Sequence, residues 1–326
     1  MTRSNTKNLE LKFVDLFCGI GGFRIAAKNI FKKHQINSRC VFSCDIDQPA
    51  RNSYLANFGE NPKGDIKQIL SEDFPEHNLL FAGFPCQPFS IIGKGNGFED
   101  ARGTLFFEIL RVLDAKRPSG FILENVKRLV GHNMGKTLDK ILDSLSDLGY
   151  WVDYKVLNAL DFGLPQKRER VFIIGLLDPP NNDVFPKGDK KPLPLSQILE
   201  QSVSPKYYVS ENVRIKRLQK HKPKIYPSIW HENKSGNITS YPYSCALRSG
   251  ASHNYLLVDG QRRLTPREFL RLQGFPDWFQ IVVSDSQLKK QTGNTIPIPV
   301  VESLLEKILP NVLQSVSSRQ VANSAQ

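Results

Sequence analysis

The chain has no run of about twenty apolar residues, so no membrane-spanning helix is expected. Its opening, MTRSNTKNLELK, is polar and lacks the apolar stretch of a secretory signal. Cysteine is scarce and odd in number: Cys18, Cys40, Cys44, Cys86 and Cys245 show no paired metal-ligand spacing. Cys40 and Cys44 would share one face of a strand, but two sulfurs without further ligands do not make a zinc site. A reduced, cytoplasmic protein without a metal is therefore expected. There is no internal repeat. Acidic residues are in deficit: 32 Asp and Glu against 44 Lys and Arg leave a net charge of +12. Such an excess favours polyanionic partners, whose release of counterions drives association. A length of 326 residues exceeds one minimal core and suits two domains, or one domain with an insertion.

What is present begins with alternation. Leu11–Phe17 reads as a buried strand that runs through glycines into a helix ending near Phe31. Cys40–Cys44, Leu79–Phe84, Gly120–Leu123, Val152–Leu157 and Val171–Leu177 read as further strands. Between them Leu105, Phe106, Ile109, Leu110 and Leu113 lie at helical spacing. So do Leu138, Ile141, Leu142, Leu145 and Leu148, with Gly149 as a stop. This pattern predicts an α/β fold, a mainly parallel sheet with helices on both faces. After Leu177 prolines become frequent and helical periodicity mostly disappears as far as Arg263, which predicts a smaller, loop-rich, β-leaning domain. A helix returns at Thr265–Leu272, with Thr265 as N-cap and Pro266 at the first helical position. The last helix, Pro299–Leu309, is expected to return to the first sheet, and the polar tail from Ser315 to be disordered. The resulting division is a sheet domain of residues 1–178 and 280–326, and a second domain of residues 179–279.

FVDLFCGIGGF at residues 13–23 is a strand leading into Gly19, Gly21 and Gly22 and then a helix. Glycines let the backbone approach a ligand, and a helix start offers free N–H groups. A tight turn without a ligand reads the same way. Asp45 and Asp47 follow the second strand, where a carboxylate can accept from ribose hydroxyls, so an adenosine-type cofactor stands beside that plainer reading. The spacing departs from G-x-G-x-x-G and disfavours NAD. Asp65 and Ile66 follow another turn and could meet an adenine ring, or Asp65 is an exposed turn residue. In QTGNTIP (291–297), Gly293, Asn294 and Thr295 precede the last helix and could cap it or touch a cofactor.

GFPCQPFS (83–90) places Cys86 on a Gly- and Pro-punctuated turn after a strand, at the sheet edge where open α/β folds carry their chemistry. Most free cysteines are inert and buried. Glu124 in ENV (124–126) ends a strand at the same edge, and partial burial of such an acid can make it a proton donor. QKRER (166–170) would put Gln166, Arg168 and Arg170 on one face, as a basic surface strand or as a grip on an anionic or carbonyl group. The loop Ser90–Gly103 carries Lys94, Arg102 and several glycines and suits a lid over phosphates.

Taken in order, FVDLFCGIGGF, GFPCQPFS, ENV, QKRER, RRLTPREFLRLQGFP (262–276) and QTGNTIP resemble the motifs of DNA (cytosine-5)-methyltransferases. The resemblance is nearest to the compact bacterial enzymes of restriction–modification systems and covers all but the middle of the second domain. It implies a Rossmann-like methyltransferase fold and transfer of a methyl group from S-adenosylmethionine to carbon 5 of a cytosine flipped out of duplex DNA. It implies that Cys86 attacks carbon 6 as a thiolate and that Glu124 binds the N3 and amino edge. Arg170 would hold O2, and Arg168 would steady the target nucleotide and its loop. Phe17, Gly19, Gly21, Asp45, Asp65, Ile66, Asn294 and Thr295 match the family's cofactor positions. Ile46 and Ile92 depart from residues common in relatives, which concerns adenine packing and the filling of the vacated base stack.

The second domain would then recognise the target. Lys206, Lys216, Lys220, Lys222, Lys224 and Lys234 would bind phosphates, while Arg214 and Arg217, with Asn and Ser residues, could read base edges. Asn233 and Asn237 in the loop His231–Ser240, and Arg248 in CALRSGASHNY, are the base-reading candidates, with Ser90, Lys94, Arg102 and Gln166 also set toward DNA. Tyr207, Tyr208 and Trp230 are expected in the domain's small core. The partners expected are double-stranded DNA and a cognate restriction endonuclease without a stable complex, the protein acting as a monomer. Methylation of tRNA on the same fold ranks behind, because this second domain is extended and basic. An NAD-linked oxidoreductase would leave Cys86, Glu124 and the arginines unexplained, and a catalytically dead DNA-binding protein has no support while every catalytic candidate is present.

Overall fold

The computed structural model describes residues 10–85, 105–252 and 254–324. They fall into two compact units: Met1–Leu157, Arg170–Lys187 and Val301–Gln326 form the first, and Asn158–Glu169 with Gly188–Val300 the second.

The first unit is built on six strands: β1 (Glu10–Leu16), β2 (Asn37–Cys44), β3 (Leu79–Gly83), β4 (Gly120–Val126), β5 (Trp151–Asn158) and β7 (Glu169–Leu176). Their order is β2-β1-β3-β4-β7-β5. Neighbours from β2 to β4 run parallel, and β7 is antiparallel to β4. The central strands are apolar on both faces, as a sheet covered on both sides requires. One face meets α3 (Leu105–Lys116) and α5 (Lys136–Asp147): Val14, Leu80, Phe121 and Ile173 share a core with Phe106, Ile109, Ile141 and Leu145. On the other face Phe13 and Phe81 pack with Phe31 and Phe23 of α1 (Gly22–Lys33), the Phe23 and Phe81 rings stacked with centroids 5.4 Å apart. α2 (Gln48–Phe58) follows β2, its start capped by Asp47.

The last helix, α9 (Ile298–Ser324), corrects the expectation of a disordered tail. It continues through Pro310, because Val312, Ser315 and Val316 beyond the proline are buried and Arg319 donates to the Arg117 carbonyl. Burial of the far turns outweighs the hydrogen bond lost at the proline.

The second unit holds a three-stranded antiparallel sheet in the order β11-β8-β9, from β8 (Ile229–Glu232), β9 (Ile238–Tyr241) and β11 (Leu256–Val258). A short parallel pair joins β6 (Gln166–Lys167) to β10 (Ser244–Cys245). Its core collects Leu195, Ile229, Leu247, Leu256, Leu264 and Phe269. α7 (Pro266–Leu272) starts as expected: Thr265 and Glu268 cap each other, and the buried Glu268 takes a two-pronged bond from Arg262 at 2.7 and 2.8 Å. α6 (Glu211–Lys220) and α8 (Asp285–Asn294) were not anticipated, and α8 ends on Gly293 and Asn294 instead of leaving them in a loop. Its bounds differ from residues 179–279: it takes in Asn158–Glu169 and residues up to Val300, while residues 179–187 fall in the first unit. Trp230 is fully buried as expected, Tyr207 bonds Asp285, and Tyr208 is 53% exposed instead of lying in the core.

Candidate active site

Parallel strands end at one edge of the first unit, and that edge gathers the motif residues. β1 runs off Leu16 into Phe17, β2 into Asp45 and β3 off Gly83 into Phe84, while Glu124 lies opposite Gly83 on β4. Phe17, Gly19 and Gly21 all take left-handed backbone, with φ of 55°, 53° and 81°. Only at Gly21 is glycine demanded by packing as well, since a Cβ there would lie 2.3 Å from the Phe58 ring. The turn is tied to β2: Cys18 donates its N–H to the Cys44 carbonyl, and Gly19 donates to Asp45 Oδ2 at 2.8 Å. Asp45 Oδ1 accepts from the Asp47 N–H. Burial pushes the Asp45 carboxyl above its ordinary value, and the N–H groups of Asp47 and Gly19 oppose the rise. Lys63 pairs with the end of β2, which brings Asp65 and the buried Ile66 alongside; Asp65 caps the short turn after it. Ile46 is 74% exposed beside Asp45. Among the described residues, none beyond its chain neighbours lies within 4 Å of where a Cβ on Gly19 would sit.

Glu124 and Arg170 form an ion pair, Nε to Oε1 at 3.1 Å, as diagonal neighbours on β4 and β7. Both side chains are mostly buried, at 9% and 14% exposure, so the pair is shielded where it meets the edge. Asn125 was overlooked by the sequence reading. It is buried, and its Nδ2 donates to the Phe84 carbonyl at 3.0 Å, two residues before Cys86. An amide in the middle of an apolar strand was the available signal. Cys86, Ser90, Lys94, Arg102 and Ile92 lie outside the described residues. Among the described residues no cluster of His, Cys, Asp and Glu could hold a metal.

The expectation that Gln166, Arg168 and Arg170 act as one face is corrected. Gln166 and Arg168 belong to the second unit and point into it, while Arg170 joins Glu124 in the first. Gln166 is fully buried: Oε1 accepts from the Leu247 N–H, and Nε2 donates to the Leu272 carbonyl and Gln273 Oε1. Its amide is engaged with protein and does not reach a surface where DNA could be read. Arg168 is 1% exposed and donates to the carbonyls of Leu247, Gly293 and Thr295 at 3.1, 3.1 and 2.6 Å. It clasps two backbone segments of its own unit, at Leu247 and at the end of α8. Thr295 is buried and Asn294 exposed, both at the end of α8.

Among the base-reading candidates, Asn233 shapes its own hairpin, its Oδ1 accepting the N–H groups of Ser235 and Asn237, while Asn237 is exposed. Arg248 is exposed. Arg217, expected among the arginines that could read base edges, is a correction: it is buried and bonded to Glu232 and the Asn254 carbonyl, because α6 turns it inward. Arg214 pairs with Glu211 and Lys206 with Asp285.

Residues 11–310 match the family profile described as C-5 cytosine-specific DNA methylase. The chain is 53% identical to the Type II methyltransferase M.NgoBI of Neisseria gonorrhoeae, over 90% of this chain and 91% of that one. It is 49% identical to the Type II methyltransferase M.HaeII of Haemophilus aegyptius, over 97% and 98%. In fold it is similar to the crystal structure of S. pombe Dnmt2 methyltransferase, with a TM-score of 0.70 at 24% identity, covering 92% of this chain and 99% of that one.

Proposed function

The chain belongs to the C-5 cytosine-specific DNA methylase family and is a DNA (cytosine-5) methyltransferase; from that premise we propose that it modifies cytosine within one short duplex sequence, as the modification enzyme of a restriction–modification system. The observation that carries the assignment of residues is the Glu124–Arg170 pair, with Glu124 opposite Gly83, the last residue of β3.

S-adenosylmethionine, the methyl donor of this class, supplies an electrophilic methyl group when bound. The residues at the glycine turn fit it. Among the described residues none beyond its chain neighbours crowds Gly19, Asp45 offers carboxylate oxygens suited to ribose hydroxyls, and Ile46 offers apolar surface for adenine. Phe17, Gly21, Asp65, Ile66, Asn294 and Thr295 complete the proposed set.

Carbon 5 of cytosine is a poor nucleophile, and the proposed residues activate it. The Cys86 thiolate forms a bond to carbon 6, and the 5,6 electron pair becomes available at carbon 5. Glu124 binds the N3 and amino edge and donates a proton at N3 as charge builds there. Arg170, held by Glu124, faces O2. Once carbon 5 is substituted, a base removes its proton, the 5,6 double bond reforms, the thiolate leaves and the N3 proton returns to Glu124. The reacting base must be out of the stack, and Ser90, Lys94 and Arg102 are proposed to face the DNA from the segment after Cys86. The second unit is proposed to recognise the sequence, with Asn237 and Arg248 reaching base edges. A monomer without a stable endonuclease complex suffices, since each strand can be modified in turn. A cytoplasmic location is proposed; no helix among the described residues is long and apolar enough to cross a membrane.

The test is bisulfite sequencing of plasmid DNA incubated with the protein and S-adenosylmethionine, beside Cys86→Ala. Protected cytosines in one sequence context, lost in the variant, are expected. Absence of protection with retained cofactor binding would refute the reading and turn attention to RNA.

A further inference from the structure

Arg248 is exposed, yet its backbone and that of Leu247 before it are held by hydrogen bonds from buried side chains. Just before it, the Leu247 N–H goes to Gln166 Oε1 at 3.0 Å, and the Leu247 carbonyl accepts from Arg168 Nη1 at 3.1 Å. Its own N–H goes to the Tyr255 hydroxyl at 3.1 Å. Just after it, Gly293 packs so closely that a Cβ there would lie 2.3 Å from the Ser249 nitrogen. Gln166, Arg168 and Tyr255 are all buried.

The side chain is oriented too. The guanidinium carbon lies 5.0 Å from the Tyr255 ring centroid, and Nη2 lies 3.5 Å from His231 Nε2. Lys289 completes the setting: its ammonium binds the Ala251 and Ser252 carbonyls and lies 5.3 Å from the same ring. Burial and the nearby Arg248 both lower the His231 pKa, which favours the neutral ring. Among the described residues no carboxylate pairs with Arg248.

A contact to phosphate tolerates displacement, because it is a charge meeting a charge. A planar fork held in fixed register suits a planar pair of acceptors, and in the major groove only guanine presents two, O6 and N7. We infer that Arg248 reads a guanine of the recognition sequence, and that Gln166, Arg168 and Tyr255 are positioning residues that hold its backbone in register. The inference rests on the protein being a sequence-specific DNA methyltransferase.

The experiment begins with the wild-type protein, whose modified site is found by bisulfite sequencing. Failure to modify DNA at all overturns the underlying reading. With the site known, methylation rates are measured on duplexes carrying each single base-pair change, for wild type, Arg248→Ala and Tyr255→Phe. Arg248→Ala, a surface change, is expected to keep the wild-type melting temperature and to lose about 5- to 150-fold of discrimination at one G·C pair, and at no other. Tyr255→Phe keeps the ring, removes the acceptor of the Arg248 N–H, and is expected to relax the same pair to a smaller degree. Unchanged discrimination in Arg248→Ala overturns the assignment. So does a uniform loss at all positions with a salt slope lower by about one, the mark of a phosphate contact. If Tyr255→Phe alone leaves discrimination intact, the positioning role falls.

Discussion

Replacing Arg168 with methionine separates a reacting residue from a clasp. Methionine fills much of the same space and carries no donor. The guanidinium supplies hydrogen bonds to three carbonyls, those of Leu247, Gly293 and Thr295, from a fully buried position. A charged donor contributes roughly 1.5–3 kcal/mol per bond, but the variant also escapes the cost of burying the charge. Three stranded carbonyls against one relieved desolvation leave a net loss of about 3–5 kcal/mol, the range for breaking a buried charged network. Two units need not unfold together, so one denaturation midpoint is a poor readout. Amide hydrogen exchange by mass spectrometry reads the site directly. A local loss of about 3 kcal/mol speeds exchange roughly 150-fold in peptides covering Leu247 and Gly293. Peptides of the first-unit sheet, such as those of β3, are expected to keep their rates. Arg168→Lys keeps one donor group and is expected to fall between. Exchange within about tenfold of wild type at Leu247 and Gly293 in Arg168→Met, a change of under about 1.4 kcal/mol, refutes the clasp.

Gly21→Ala forces a Cβ onto the Phe58 ring at a backbone φ of 81°, and a cost of at least about 1–3 kcal/mol is expected in thermal melts, together with weaker cofactor binding by calorimetry. Asn125→Ala removes the donor to the Phe84 carbonyl, and about 1 kcal/mol of stability is expected to go with it. Single-turnover methyl transfer should then slow while cofactor affinity holds; equal rates would refute a role in placing the chain before Cys86. His77 has its pKa lowered by burial, with the Pro75 carbonyl opposing, so the unfolded chain takes the proton first as pH falls. Its contribution is complete above its ordinary value of 6.5 and is lost as pH drops toward the lowered folded value. His77→Leu should flatten that part of the urea-stability profile, and an unchanged slope would count against it.

The sheet was legible because its strands are short, apolar and punctuated by glycine. α2, α6 and α8 were not, for a common reason. α6 buries Arg217 alone, and α8 buries Lys289, Gln291, Thr292 and Gly293 beside Leu288. A search for apolar residues at helical spacing passes over faces that are buried through polar bonds. The tail misled in the opposite way, because small polar residues after Pro310 hide Val312 and Val316, which the sheet unit covers. Within the site, the motifs marked Asp45, which follows β2, and Glu124 and Arg170, which pair across β4 and β7. They did not reveal that Gln166 and Arg168 serve the second unit, since their partners lie between 79 and 127 residues away for bonds such as those to Leu247 and Thr295. Local alternation carries no information at that range.

The chain passes between the units four times, after Leu157, Glu169, Lys187 and Val300. A recombination event that exchanged only Gly188–Val300 for the matching stretch of a relative would therefore import the proposed recognition surface without its own foundation. Gln166 and Arg168 would remain as native parts meeting foreign backbone at Leu247, Gly293 and Thr295. Inheritance of a new sequence preference thus needs two cassettes, with Asn158–Glu169 travelling alongside the larger one. Crossover points in hybrid enzymes should respect that linkage, and a twelve-residue segment (158–169) becomes the smaller half of a transferable specificity module.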